Sequence, residues 1–295
     1  MSQPENLYLM GVDGGGSRCR FALANADGRV LARAEEGAAN IASDFATAAA
    51  AIRRGMEILR QTAELPASAQ VVAHLGLAGA NAPGVAARLK DHLGLARAAI
   101  EDDRRTAVTA ALGGGQGAVA SCGTGSFVCR QTADDLLSIG GWGLPIGDDA
   151  SGAWLGQRAM RRAVLALDGL VPMTGLLRQV ADQTGGERPQ MVSFSLTARP
   201  ADYAALAPLV VAAGEAGDPE GRALMQAGAD YIRAALTALG HRADQPLCLL
   251  GGVGRYYAPY LSGLASQPPL LPAVSGALIL AARTAGIETG GKPWT

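Results

Sequence analysis

Val12-Asp13-Gly14-Gly15-Gly16-Ser17 lies between two apolar runs near the start of the chain. Ahead of it, Leu7-Tyr8-Leu9-Met10-Gly11-Val12 is long enough for a buried strand. After it, Cys19, Phe21 and Leu23 alternate with Arg18, Arg20 and Ala22, the period-two pattern of a second strand. Asp27-Gly28 then turns the chain into a third strand, Arg29 to Ala34. A strand–glycine turn–strand with a carboxylate at its apex suits phosphate. Glycines let backbone N–H groups approach the anion, Ser17 offers a hydroxyl, and Asp13 can hold a hydrated Mg²⁺. The segment is not a P-loop, because no Gly-Lys-Ser/Thr follows and the next element is a strand. Taken alone, it reads equally well as an ordinary glycine-rich hairpin turn.

Beyond these strands the pattern alternates between helix and strand. Asn40 ends the exit loop of the third strand, and Ser43 is the expected N-cap of a helix stopped by Pro66. The apolar face of that helix runs Phe45, Ala49, Ile52, Met56, Leu59 and Ala63. Val71 to Leu77 is a strand ending in Gly76-Leu77-Ala78-Gly79-Ala80, glycine-rich enough to border a cleft. A helix over Gly84–Leu93 follows, then a short strand from Ala98 that ends at Glu101-Asp102-Asp103, then a helix from Arg105 to Leu112. That order predicts a mixed sheet flanked by helices, with active residues at strand ends.

After Gly113-Gly114-Gly115 the order begins again. Gly117 to Ser121 reads as a strand, Cys122-Gly123-Thr124-Gly125-Ser126 as a hydroxyl-bearing turn, and Phe127 to Gln131 as the returning strand. Two such turns, one opening each half, predict a duplicated fold whose two lobes hold one nucleotide in a central cleft. Farther on, Leu224, Gly228, Ile232, Leu236 and Leu239 share one helix face. Leu247-Cys248-Leu249-Leu250 then runs straight into Gly251-Gly252-Val253-Gly254, a strand end where an adenosine could lie flat against the backbone.

Composition excludes several classes. In 295 residues, 17% are charged and the formal net charge is −1, so no field favours nucleic acid or an anionic membrane. No stretch is apolar for long enough to span a bilayer, and Met1 to Asn6 lacks the basic and apolar parts of a signal peptide. Cys19, Cys122, Cys129 and Cys248 form no C-x-x-C pair and read as small buried hydrophobes of a reducing compartment, the cytoplasm. His74, His92 and His241 are too scattered to suggest a metal site.

The three glycine-rich strand ends resemble the first phosphate, second phosphate and adenosine motifs of the actin-like ATPase superfamily, which includes sugar kinases and actin. Within it, the chain is similar to the BadF/BadG/BcrA/BcrD ATPase family, above all its N-acetylglucosamine and glucosamine kinases. The best segment is Gly140-Gly141-Trp142-Gly143-Leu144-Pro145-Ile146-Gly147-Asp148-Asp149-Ala150-Ser151-Gly152-Ala153-Trp154-Leu155-Gly156. In those kinases a similar run lines the sugar pocket. Asp149 stands where many members have Glu, and Ser17 where most have Thr. Leu271 to Leu278 resembles the family's closing segment, whose helix returns to the first lobe.

The resemblance implies a duplicated α/β fold of the ribonuclease H-like kind. One lobe would be residues 1–112 completed by a helix over 275–290, the other residues 113–274. It implies an ATP- and Mg²⁺-dependent transfer to an amino sugar at O6, with Asp103 as general base. From the residues alone, Asp102 and Asp103 remain rivals for that role. Gly15, Gly16, Ser17, Gly123, Thr124, Gly125 and Ser126 would surround the phosphates, and Gly251, Gly252 and Gly254 the nucleoside. Asp13 would hold Mg²⁺ through water.

A sugar ring independently asks for an aromatic wall and short polar acceptors, which Trp142, Asp148 and Asn40 would provide, with Asp103 facing the same cleft. The resemblance adds Gly79 and Gly141 as substrate-binding positions. Asp148 also reads as an N-cap of a helix beginning near Ala150. Two other classes fit the superfamily: an ATP-driven activator of a radical dehydratase and a sugar-sensing regulator. The first needs exposed cluster-ligating cysteines, the second a helix-turn-helix ahead of Leu7. A homodimer is one open arrangement of the chain.

Overall fold

The computed structural model describes residues 6–15, 18–133, 135–290 and 292–294. The chain divides into two compact units, one of residues Met1–Gly115 with Pro269–Thr295, the other of Gln116–Pro268.

The first unit is built on β1 (Leu7–Gly14), β2 (Cys19–Asn25), β3 (Val30–Glu36), β4 (Gln70–Leu77) and β5 (Ala98–Glu101), in the order β3-β2-β1-β4-β5. β1 to β3 form an antiparallel meander, and β4 and β5 continue it parallel to β1. Both faces are covered, and the period-two pattern sorts side chains between them. Met10, Val12, Phe21 and Leu23 pack with α1 (Phe45–Thr62), which contributes Ala48, Ala49, Ile52 and Leu59. Leu9, Ala22 and Ala24 point the other way, into a cluster with Val274 and Leu278 of the C-terminal helix, Ala273–Thr284. α2 (Val85–Leu93) and α3 (Asp103–Leu112) complete the unit.

Two local expectations change. The N-cap of α1 is Asp44, not Ser43: the Asp44 carboxylate accepts from Thr47 N at 3.1 Å, while the Ser43 hydroxyl donates to the Asn40 carbonyl. α3 starts earlier than expected, because Asp102 caps it and Asp103 is already in its first turn.

The C-terminal helix lies close against its neighbours because two glycines lack a side chain. A Cβ on Gly11 would stand 2.8 Å from Leu278 N. A Cβ on Gly276 would overlap the Thr106 carbonyl oxygen and lie 2.8 Å from Ala110 N, both on α3. In an exposed helix Gly→Ala gains about 1 kcal/mol. At Gly276 the sign should reverse: Gly276→Ala is expected to cost about 1–3 kcal/mol by overpacking. Thermal unfolding should show a lowered Tm, and a raised Tm would contradict this packing.

The second unit repeats the plan with β6 (Gly117–Cys122), β7 (Ser126–Gln131), β8 (Leu136–Gly140), β9 (Leu247–Leu250) and β10 (Ser266–Gln267), ordered β10-β9-β6-β7-β8. The central strand is again antiparallel to one neighbour and parallel to the other. Its helices are α4 (Gly152–Leu167), α5 (Gly175–Gln183), α6 (Arg188–Thr197), α7 (Pro200–Ala204), α8 (Ala207–Ala216) and α9 (Pro219–Ala238). Trp154, Leu155, Leu177, Val210, Ile232 and Tyr257 belong to one apolar core. Among the described residues, no helix is long and apolar enough to cross a membrane.

Candidate active site

In the first unit, the parallel register lays Asp13, Gly76 and Glu101 side by side at the C-terminal ends of β1, β4 and β5. Asp13 is largely enclosed. Burial raises its carboxyl above the ordinary range, and Arg20, with Nη1 3.4 Å from Oδ2, pulls the other way. Arg20 was not foreseen as a partner, although the antiparallel register sets it opposite Asp13.

Asp103 enters from the first turn of α3. Burial pushes its carboxyl up to about 7, helped by the like charges of Asp102 and Asp13 and opposed by Arg104. Its placement depends on a missing methyl. A Cβ on Gly76 would overlap Thr106 Oγ1 and sit 3.3 Å from Asp103 Cα, so the first turn of α3 rests on bare strand backbone. With Gly276 on its other side, α3 is held between two glycines. In the sequence Gly76 is simply the first glycine of the run Gly76-Leu77-Ala78-Gly79-Ala80.

Asp102 is engaged elsewhere. Its Oδ1 accepts from Arg104 N at 3.0 Å and from Arg104 Nε, and its Oδ2 accepts from Asn81 Nδ2 at 2.7 Å. A carboxylate so used caps and anchors the helix. Sequence reasoning missed Asn81, for which no pattern offered a signal.

Asn40 and Gly79 come together nearby. Asn40 Oδ1 accepts from Ala42 N at 3.1 Å and Ser43 N at 3.2 Å. A Cβ on Gly79, where φ is +84°, would be 2.7 Å from that oxygen. Gly15 shapes the adjoining turn: its N–H donates to the Arg18 carbonyl at 2.9 Å and its carbonyl accepts from Ala39 N at 3.0 Å. Gly16 and Ser17 lie outside the described residues.

In the second unit, the turn after β6 is fastened to the start of α4. Gly123 N donates to Gly125 O at 2.9 Å, while Gly152 N and Ala153 N donate to Gly123 O and Thr124 O at 2.7 and 3.2 Å. Thr124 stands exposed at the apex. Ser126, expected beside the phosphates, is buried and its hydroxyl donates to the Asp149 carbonyl, so it fixes the turn.

The loop from Gly140 to Ser151 presses its carboxylate on the same turn. Asp148 is buried, and Gly143 N donates to its Oδ1 at 3.3 Å. A Cβ on Gly125 would be 2.7 Å from Asp148 Oδ2. Burial raises the Asp148 carboxyl, against hydrogen bonds from the Ser126 and Gly143 backbone. Asp148 is not the N-cap of α4. That residue is Ser151, whose Oγ accepts from Trp154 N at 3.0 Å. The loop is strained, with φ of +60° at Asp148 and +67° at Ala150, a conformation that costs a non-glycine residue about 1 kcal/mol or more. Beside the exposed Gly141, Trp142 is 68% exposed and so covers no core. Tyr231 of α9, also unforeseen, brings its hydroxyl within 3.0 Å of where a Gly140 Cβ would be.

The end of β9 meets this turn directly. Gly251, at φ +81°, would overlap the Cys122 carbonyl if it carried a Cβ, which would also lie 2.6 Å from Gly123 N. Gly252 faces open space. Gly254 does not: it is buried against Leu249, because the chain coils into a helical turn at Gly251–Gly254.

Glucosamine kinase GspK of Vibrio cholerae serotype O1 is 30% identical over 285 residues, covering 94% of this chain and 96% of its own. The crystal structure of a candidate N-acetylglucosamine kinase from Chromobacterium violaceum superposes with a TM-score of 0.84 at 36% identity, over 94% of this chain and 100% of that one. Another, from Porphyromonas gingivalis, shares the fold at TM-score 0.68 and 22% identity, over 94% and 99%. The duplicated sheets are those of the actin-like ATPase and sugar kinase fold. Residues 10–261 match the BadF/BadG/BcrA/BcrD ATPase family, and the chain belongs to that family.

Proposed function

We propose that the protein is an ATP-dependent kinase of an amino sugar, N-acetylglucosamine or glucosamine, transferring the γ-phosphoryl group to O6. The observation that carries the reading is Asp103. Its carboxyl sits at about 7, the poise a general base needs near neutral pH. The kinase names of the two relatives at 30% and 36% identity supply the substrate class.

Phosphoryl transfer asks for positioned reactants, neutralised charge and an acceptor for the hydroxyl proton. Asp103 takes the proton from the sugar hydroxyl as that oxygen attacks the γ-phosphorus. Asp102 keeps α3 capped, so the base holds its position. Thr124 and Gly125 present hydroxyl and backbone to the phosphates, and Gly251 and Gly252 give the nucleoside a flat glycine surface. Asp13 fits Mg²⁺, since a single enclosed carboxylate joined by phosphate oxygens and water is how that ion is commonly held. Bound there, the ion would neutralise charge on the phosphates.

All four cysteines are buried, which leaves an iron–sulfur activator without surface ligands. A coupled ADP-release assay over hexoses and amino sugars tests the proposal. An amino sugar should stimulate ADP release far above the sugar-free rate, and a panel with no stimulation would reject it.

Trp142 offers the apolar wall of the sugar site. Because it is exposed, Trp142→Ala should leave Tm unchanged while raising the sugar KM about tenfold, the worth of one stacked aromatic. A fall in Tm with unchanged KM would assign Trp142 to packing instead.

A further inference from the structure

Away from the strand ends that carry Asp13 and Asp103, α1 and α2 of the first unit frame a groove of about 450 Å³. Its walls carry three guanidinium groups, from Arg53 and Arg54 of α1 and Arg88 of α2, around Phe45 and two small alanines. None of its described lining residues is an aspartate or glutamate. The volume is that of a small-molecule site.

The three arginines are not equivalent. Arg54 is neutralised, since its Nε and Nη2 donate to Glu36 Oε2 at 3.1 and 3.0 Å. The other two are positioned without being neutralised. Arg88 lies over the Phe45 ring, its Cζ 3.8 Å from the centroid, and Arg53 Nη2 donates to the His92 carbonyl at 2.7 Å. Among the described residues, no carboxylate is within ion-pair distance of either. The first turn of α1 holds no acid, and the carboxylate of its N-cap, Asp44, accepts from Thr47 N.

Two positioned but unneutralised guanidinium groups match a dianion better than a single carboxylate. A phosphomonoester carries about −1.5 to −2 near neutral pH, and its oxygens fit arginine forks. Phe45, Ala46, Ala50 and the arginine stems leave an apolar wall for a carbon body of modest size. We propose that this groove binds a phosphomonoester of a sugar-sized molecule, at a site distinct from the one that carries Asp13 and Asp103.

The test is isothermal titration of the full chain, saturated with ADP and Mg²⁺ so that the nucleotide's phosphate sites are filled. Glucose 6-phosphate, inorganic phosphate and glucose serve as probes. Glucose 6-phosphate should bind more tightly than inorganic phosphate, and glucose should not compete for it. The R53Q/R88Q double variant should weaken glucose 6-phosphate tenfold or more, as loss of charged hydrogen bonds does. R53K/R88K should fall between, keeping charge but losing the fork. Arg53 and Arg88 are both exposed, so wild-type Tm verifies the fold. Four outcomes overturn the proposal: no binding of glucose 6-phosphate, undiminished affinity in R53Q/R88Q, equal affinity for inorganic phosphate, or loss of binding in Trp142→Ala rather than in the arginine variants.

Discussion

Asp103→Asn should lower kcat by about 10²–10⁴, the range for removal of a general base, with the sugar KM changed far less because Asn still hydrogen-bonds a hydroxyl. The acting form of Asp103 is the carboxylate. Activity in the wild-type protein should therefore rise with pH through a limb near 7 and level off above it. Asp102→Asn should behave differently. Asn still caps a helix, so the fold should hold and kcat should stay near wild type. Removing the Asp102 charge should also move the limb to lower pH, because that charge helps hold Asp103 up. A large loss of kcat in Asp102→Asn, with near-normal turnover in Asp103→Asn, would reverse the assignment.

The same poise sets a stability relation. The Asp103 carboxyl is raised from 3.8 to about 7, so between those pH values the folded protein binds more protons than the unfolded one. Stability therefore declines as pH climbs through that window, and the deficit is complete above it. Asp103→Asn removes the deficit. The inactive variant should unfold at a higher temperature than wild type at pH 8, and at a closer one near pH 4.

Asp13→Ala should reduce kcat by about 10²–10³, the scale of losing a preorganised charge at a transition state, and should raise the Mg²⁺ concentration needed for half-maximal activity. The fold should survive. Arg20 keeps a second carboxylate, with Glu35 Oε2 3.7 Å from its Nε, so the substitution strands no buried cation. Asp13 is also one of the charges that raise Asp103. The alkaline-rising limb should therefore shift downward in this variant, an effect independent of turnover. Unchanged kcat and unchanged Mg²⁺ dependence would remove Asp13 from the reaction.

The features most legible in sequence were those written in short-range periodicity. β1 announces itself by its apolar run, β2 by its alternation and the pair by the glycines between them, and a second strand–glycine turn–strand marks β6 and β7. β8 escaped notice because Leu136–Gly140 is a half-exposed edge strand with neither clean alternation nor an apolar run. Asp103 was expected at a strand end and stands in a helix. Two consecutive acids can each cap, and only the Asn81 and Arg104 contacts show which one does. The Ser126 hydroxyl and the Gly254 backbone stand in glycine-rich turns, but a single hydrogen bond to the Asp149 carbonyl holds the one and local coiling buries the other. The choice of Asp103 over Asp102 rests on the family resemblance, since from the residues alone the two remain rivals. Gly76 and Gly276 show the limit most plainly. Each matters for an atom it lacks, and what would collide with that atom lies far away in the chain.

The discontinuity of the first unit has a consequence for the timing of synthesis. Its sheet is translated before residue 102, yet the helix that covers Leu9, Ala22 and Ala24 is not translated until Ala273–Thr284. The intervening Gln116–Pro268 is a continuous stretch that contains all its own strands and core. Contacts between β1 and the helix Ala273–Thr284 join residues far apart in the sequence, the class of closure that forms slowest. On the ribosome, the unit begun first waits with one apolar face uncovered, and the unit begun second is finished before it.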